Sequence, residues 1–214
     1  MHIFPEIKLH ILAGSVGLLL GLIPMLTRKG SSPHRRSGRL FAYCASLVMI
    51  SAVLTIALRD KPSFLSLSRI TLTSSYLLWG AMRALRIQSS GPTIIDRLGA
   101  AVAVGLSIPL FLQTVPHSSV PVALANFTLF WLWTVIAYDL SRHYWSQQWQ
   151  QHFAATDHGI KMIAVFFAML SAGAGNFLPQ YRPWSILLPN LAGMLIMTGI
   201  GISHFYRYRK SRQT

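Results

Sequence analysis

The chain has few acids and almost no cysteine, and both shortages restrict its class. It carries five Asp and Glu against 19 Lys and Arg, with a single cysteine in 214 residues. Cys44 therefore excludes an intrachain disulfide framework and a cysteine-rich metal site. Charge of either sign is also missing from long stretches, such as the run between Arg97 and Asp139. An apolar run of about 20 residues spans a bilayer as a helix, so these gaps indicate a multi-pass membrane protein.

Seven apolar runs predict an all-α integral membrane bundle of seven transmembrane helices. The longest run is divided into a hairpin by the breakers within 116–121. The predicted helices lie near 8–26, 40–58, 64–85, 98–115, 119–140, 158–178 and 184–206. Residues 1–206 thus form one transmembrane domain, and 207–214 form a basic tail.

The distribution of Lys and Arg predicts the orientation of this bundle. Fourteen of them fall on one side of the seven spans and five on the other. Positive residues collect on the cytoplasmic side of membrane proteins, so we expect an outside N-terminus and a cytoplasmic C-terminus. The net charge of +14 is explained by these short segments, and nucleic acid is not expected as a partner.

Small and polar residues mark the inward faces of the first and third helices. His10, Gly14, Gly17 and Gly21 share one face of the first helix, which predicts a packing face or a groove for a flat cofactor. On the third helix a polar stripe must turn inward: Ser66, Arg69, Thr73, Tyr76, Gly80 and Arg83. Arg69 is expected either to snorkel to the outer surface or to pair with Glu6 or Asp60.

Polar residues at the start of the sixth helix and the end of the seventh predict a shared pocket. His158 and His204 both lie near the cytoplasmic boundary, on helices that run antiparallel. Asp157 precedes His158 and is expected to cap the sixth helix, with a catalytic role as the alternative. The segment 141–156 is interpreted as an interfacial connection, with Trp145 and Trp149 in the aromatic belt.

The 27–39 loop concentrates five positive charges beside the membrane. We interpret it as a topology determinant that contacts anionic headgroups. The alternative is a docking site for a phosphate or carboxylate, to which His34 adds a titratable donor or metal ligand. The candidate anion-binding residues are Arg28, Lys29, Arg35, Arg36 and Arg39.

Several motifs resemble those of a group of uncharacterised bacterial multi-pass membrane proteins, of the type labelled as a domain of unknown function. The motifs are His10-x-x-x-Gly14-x-x-Gly17-Leu18-x-x-Gly21, Arg28-Lys29-Gly30 through His34-Arg35-Arg36-Ser37-Gly38-Arg39, and Tyr76-Leu77-x-x-Gly80-x-x-Arg83-Ala84, followed by Asp96-Arg97, His158-x-x-x-Met162, Asn176, Pro179, Trp184 and Pro189. The resemblance runs nearly end to end. It implies an integral membrane protein and supplies no activity or catalytic residue. We expect the protein to lie in a bacterial inner membrane.

Three classes of function fit this pattern. A redox role predicts haem b or a quinone, with iron ligands among His10, His117, His158 and His204. Its further cofactor contacts would be His34, Arg69 and Arg83. The alternatives are a membrane-complex subunit or assembly factor that binds partner helices or its own copies, and a small-solute transporter lined by the third helix. The sequence leaves open whether the protein is an enzyme.

Overall fold

A computed structural model describes residues 5–58, 64–113 and 122–211 of the chain. The described residues are helical, with no strand among them. The helices are α1 (Pro5–Leu26), α2 (Ser32–Leu58), α3 (Phe64–Arg86), α4 (Ile94–Leu112), α5 (Val122–Ser141), the short α6 (Ser146–Gln148), α7 (Ala154–Phe177) and α8 (Trp184–Ser211). A π-helical turn, Trp149–Phe153, joins α6 to α7.

Five helical segments are long and apolar enough to cross a membrane, which supports a helical membrane protein. They are α1, α2, α4, the continuous segment Ser146–Phe177 and α8. Many of the large apolar side chains on these helices are exposed, as expected for surfaces solvated by lipid. The helices α3 and α5 complete a set of seven long helices whose positions follow the seven predicted runs.

The bundle is organised around α3 and α7. The helix α7 packs on α3, α8 and α1, while α3 also contacts α2, α4 and α5. Both central helices carry many buried residues, including Val165 and Phe166 on α7 and Leu77 and Ala81 on α3. Polar side chains on these two helices are therefore brought into the interior, away from lipid.

The glycine face of α1 is confirmed as a packing face. A Cβ atom on Gly17 would lie 3.0 Å from Cβ of Cys44 on α2, and one on Gly21 would lie 2.7 Å from the Phe166 ring on α7. Such contacts leave no room for a side chain, so α1 approaches its neighbours closely. Cys44 is half-buried against this face.

The predicted basic loop is shorter than expected, because α2 already begins at Ser32. The Ser31 hydroxyl accepts a hydrogen bond from the backbone N–H of His34 at 3.4 Å, as a helix N-cap does. Pro33 lies in the first turn, where its missing N–H is tolerated. Gly30 occupies the turn with φ of 78°, a conformation that favours glycine.

Candidate functional site

Four charged side chains from the end of α5, the residue that follows it, and α7 form a buried cluster. They are Asp139, Arg142, Asp157 and Lys161, and each side chain is at most 4% exposed. Both pairs have helical spacing: Arg142, directly after α5, follows Asp139 by three residues, and Lys161 follows Asp157 by four on α7. The cluster holds two negative and two positive charges, and this balance is what allows it to stay buried.

Both cations bridge the two carboxylates. Nζ of Lys161 lies 2.5 Å from Oδ1 of Asp139 and 3.1 Å from Oδ1 of Asp157. Arg142 donates from Nη1 to Oδ2 of Asp157 at 2.8 Å, and its Nη2 lies 3.2 Å from Oδ1 of Asp139. The cluster thus ties the end of α5 to the beginning of α7.

Aromatic side chains cover the cluster. The Arg142 guanidinium lies 4.8 Å from the ring centroid of Trp149, which is fully buried. Nζ of Lys161 lies 5.7 Å from the centroid of the Tyr138 ring. These cation–π contacts add attraction in a site from which water is largely excluded.

The sequence-based interpretation of this region was wrong in two places. Asp157 does not cap α7, because the helical segment begins earlier and the carboxylate binds Arg142 and Lys161 inside the bundle. Trp149 is buried and not part of an interfacial belt. The helical spacing of opposite charges, Asp139 with Arg142 and Asp157 with Lys161, is the signal that would have revealed the cluster.

A second ion pair fixes the connection between α3 and α4. Arg83 donates to both oxygens of Asp96, at 3.0 and 2.8 Å, and to the Thr93 hydroxyl. Asp96 also accepts from the backbone N–H of Thr93, which forms the capping box of α4. Arg83, a predicted cofactor contact, therefore has a structural partner here.

Arg69 is neither a snorkelling residue nor an exposed one. Its side chain is fully buried and donates to the carbonyl oxygens of Leu110 and Gln113, at 2.6 and 2.7 Å. These carbonyls lie at the C-terminal end of α4, which carries partial negative charge. The inward polar stripe of α3 is confirmed at Thr73, Tyr76 and Gly80, which are buried, while the Ser66 side chain lies outside the described residues.

The described candidate histidines bind separate protein groups. His10 contacts the Ser51 hydroxyl at 3.0 Å, which matches the prediction of a hydrogen-bonded packing residue. His34 and His158 contact the carbonyl oxygens of Pro24 and Ala81. His204 contacts the Thr156 hydroxyl.

The predicted shared pocket of His158 and His204 does not form from these contacts. Thr156, Asp157 and His158 are successive residues of α7, so their side chains point about 100° apart. They reach His204 on α8, Arg142 directly after α5, and Ala81 on α3, respectively. Over the described residues, no group of three His, Cys, Asp or Glu side chains is arranged to hold a metal ion. His117 lies outside the described residues.

The predicted anion-binding residues of the α1–α2 connection share one property, exposure. Three of them lie within the first turns of α2, and the other two lie in the turn that precedes it. All five are exposed: Arg28, Lys29, Arg35, Arg36 and Arg39. They form a cationic surface at this end of α2.

A groove of about 540 Å³ runs between α5 and α8, with α3 and α7 as its floor. It reaches along α7 from Ala164 to Asn176, which corresponds to about 18 Å of helix. Its rims include Phe127 and Leu191, which are 48% and 49% exposed, so it opens on the side of the bundle. Its lining is mainly apolar.

Polar groups are concentrated toward one end of the groove. Arg182 lines it there, and its Nε donates to the carbonyl oxygen of Gly175 at 2.8 Å. Nδ2 of Asn190 donates to the Ser171 hydroxyl at 2.8 Å. Among the described residues that line the groove, Arg182 is charged and none is acidic.

No family model, curated protein or solved structure matches the chain. The resemblance to multi-pass proteins of unknown function stays a prediction from the sequence. The structure itself supports a helical membrane protein with a buried charge cluster near the start of α7 and a lateral groove that extends to the other end of this helix.

Proposed function

We propose that the protein crosses the bacterial inner membrane seven times and binds an anionic amphiphile in the groove between α5 and α8. The observation that carries the proposal is the groove itself, which is mainly apolar and has Arg182 as its charged lining residue. An acyl chain matches the apolar part, and a phosphate or carboxylate head matches the guanidinium. The lateral opening gives such a molecule direct access from the bilayer.

The seven spans are supported by the lengths of α3 and α5. With 23 and 20 residues they are about 34 and 30 Å long, enough for a hydrocarbon core of about 30 Å. Two of the three charged side chains of α3, those of Arg83 and Arg69, bind inside the protein to Asp96 and to carbonyls of α4. The third, Arg86, is exposed at the last residue of the helix. Lipid therefore need not solvate a charge within the length of α3, which makes this helix compatible with a span.

The cationic surface at the start of α2 supports the proposed orientation. Its exposed Arg and Lys side chains are suited to anionic headgroups of the cytoplasmic leaflet. With this orientation the charge cluster lies toward the cytoplasm, and Arg182 lies toward the outer leaflet. The groove would then accept an amphiphile from the outer half of the bilayer.

Labelling of single cysteines tests this orientation. In a Cys44→Ala background we expect Tyr181→Cys to react with a membrane-impermeant maleimide in intact spheroplasts. We expect Tyr144→Cys to react with the same reagent only after the spheroplasts are lysed. The side chains of Tyr181 and Tyr144 are 61% and 92% exposed, so a difference in labelling would not be caused by burial within the protein. Equal labelling of the two sites before lysis, or the reverse order, would contradict the proposal.

Brominated lipids test the groove, because Trp131 lies in its lining and bromine quenches tryptophan fluorescence. We expect brominated phosphatidylglycerol to quench Trp131, identified by difference from Trp131→Phe, more strongly than brominated phosphatidylcholine. Ala168→Phe fills the groove and should weaken binding of the anionic probe about tenfold, which corresponds to about 1.4 kcal/mol.

One matched control and one charge variant complete this experiment. Ala192→Phe adds the same ring at an exposed position of α8 outside the groove lining, and should leave the probe affinity unchanged. Arg182→Gln should reduce the affinity for phosphatidylglycerol to that for phosphatidylcholine. Equal quenching by the two lipids in the unmodified protein would exclude the proposed ligand, and so would quenching that Ala168→Phe does not change. A neutral quinone that displaces the brominated lipid more effectively than unbrominated phosphatidylglycerol or phosphatidylcholine does would also exclude it.

A further inference from the structure

The side-chain amide of Asn190 has a fixed orientation in the groove. Asn190 lies on α8, is half-buried and lines the groove. Its Nδ2 donates to the Ser171 hydroxyl at 2.8 Å and to the carbonyl oxygen of Ile186 at 3.0 Å. Because a carbonyl oxygen can only accept a hydrogen bond, the contact with Ile186 determines which end of the amide is the nitrogen.

The amide oxygen of Asn190 is therefore the atom that a ligand can reach. Within the described part of the chain, Oδ1 of Asn190 receives no hydrogen bond, and the protein does not enclose this atom. The oxygen can only accept, so it favours a ligand with an O–H or N–H group and disfavours another acceptor. An acyl chain supplies no such donor. A ligand that matches Asn190 thus carries a donor at this depth of the groove.

The position of Asn190 relative to Arg182 restricts where this donor lies in the ligand. The two side chains bind Ser171 and Gly175, which are four residues apart on α7. Ser171 and Gly175 therefore lie on one face of the helix, about 6 Å apart along its axis. In a glycerol phosphate, about four bonds of about 1.2 Å each join the phosphorus to the oxygen of the middle carbon, which gives about 5 Å. A phosphate at Arg182 thus brings that oxygen close to Asn190.

The size of the groove fits one acyl chain. Its volume is about 540 Å³, and its length along α7 is about 18 Å. A methylene group takes about the volume of a water molecule in the liquid, about 30 Å³, so the groove holds about 18 such groups. One chain with its glycerol fills this space. The second chain of a diacyl lipid would have to remain in the bilayer.

We infer that the groove selects a lysophospholipid, an anionic lipid with one acyl chain, whose free hydroxyl on the middle glycerol carbon donates to Oδ1 of Asn190. The inference rests on the proposed function, because Arg182 has to bind the phosphate. A diacyl lipid has an ester oxygen at the same carbon, and this oxygen has no hydrogen to donate. Asn190 is thus the residue that determines specificity for the lipid with the free hydroxyl.

Three lipids with the same headgroup test this inference. They are lysophosphatidylglycerol, an analogue of it that lacks the middle hydroxyl, and diacyl phosphatidylglycerol. Their affinities are measured by displacement of brominated phosphatidylglycerol, read from the fluorescence of Trp131 in the groove. We expect the lysolipid to bind about tenfold more tightly than either of the other two, which corresponds to about 1.4 kcal/mol.

One variant and one matched control assign this difference to Asn190. Asn190→Leu removes the amide and keeps a similar volume, so the ratio of affinities for the lysolipid and the deoxy analogue should fall to about one. Thr73→Val removes the hydroxyl of another polar residue of the lining, one that already donates to the carbonyl oxygen of Thr128. This control should keep the tenfold ratio.

The outcomes separate this inference from the proposed function. If all three lipids displace the probe but the unmodified protein binds the lysolipid and the deoxy analogue equally, the inference is overturned and the proposed function stands. A tenfold ratio that persists in Asn190→Leu, or an affinity for the diacyl lipid equal to that for the lysolipid, would also overturn the inference. If none of the three lipids displaces the brominated lipid, the proposed function is contradicted, and the inference with it.

Discussion

Replacing Lys161 by methionine is expected to destabilise the protein by about 3–5 kcal/mol, the usual cost of removing one partner from a buried ion pair. The substitution leaves Asp139 and Asp157 with one cation, so the buried cluster carries a net negative charge. Methionine fills a similar volume, which limits the contribution of a cavity. The measurement is the free energy of unfolding in mixed detergent micelles.

A second substitution separates charge from packing at this position. Asp157→Asn in the Lys161→Met background restores the balance of the cluster and leaves Asp139 paired with Arg142. We expect it to recover part of the lost stability, although alone it is destabilising. Lys210→Met, at an exposed position of α8, is the control and should have little effect. Simple addition of the two losses in the double variant would show that charge balance is not what stabilises the cluster.

Gly21→Val is expected to separate α1 from its neighbours and to cost about 1–3 kcal/mol or more, as overpacking of a well-packed interior does. The first atom of the new side chain would lie 2.7 Å from the Phe166 ring and 3.0 Å from the Phe41 ring. Both rings are buried and contact each other, so neither can move freely. Stability in detergent and the yield of folded protein report the effect.

Gly199→Val is the matched control, because it introduces the same side chain into a helix interior at a position with open space around it. It should retain most of the stability of the unmodified protein. If Gly21→Val were as well tolerated as Gly199→Val, the close packing of α1 against α2 and α7 would be wrong. An equal loss of stability in Gly21→Val and Gly199→Val would show that the loss comes from the low helix propensity of valine and not from overpacking.

Much of the architecture could be predicted from the sequence, because lipid imposes a simple requirement. A helix that spans the bilayer must be apolar over about 20 residues, and each such segment can be recognised by itself in the sequence. The helix positions, the inward stripe of α3 and the packing role of Gly17 and Gly21 follow from this local periodicity. The early start of α2 was missed, because its first turn is polar and resembles a loop.

The candidate site was predicted less well, because its residues are distant in sequence. Asp157 has the features of a helix cap when it is considered alone, and Arg69 those of a snorkelling residue. The structure gives Asp157 the guanidinium of Arg142, which directly follows α5, and gives Arg69 two carbonyls at the end of α4. Spacing along the chain indicates the pairs that are close in sequence, Asp139 with Arg142 and Asp157 with Lys161, but not these contacts between helices. The groove is equally invisible in the sequence, since its lining comes from four helices.

The sequence by itself determined a helical chain suited to lipid and the positions of its cationic segments, because these properties depend on composition and on periodicity within single segments. Tertiary structure decided which charges neutralise each other and where a lateral opening remains. Those outcomes depend on which helix faces meet, and ion pairing inside a bundle is set by distances of a few ångströms between segments that are far apart in the chain.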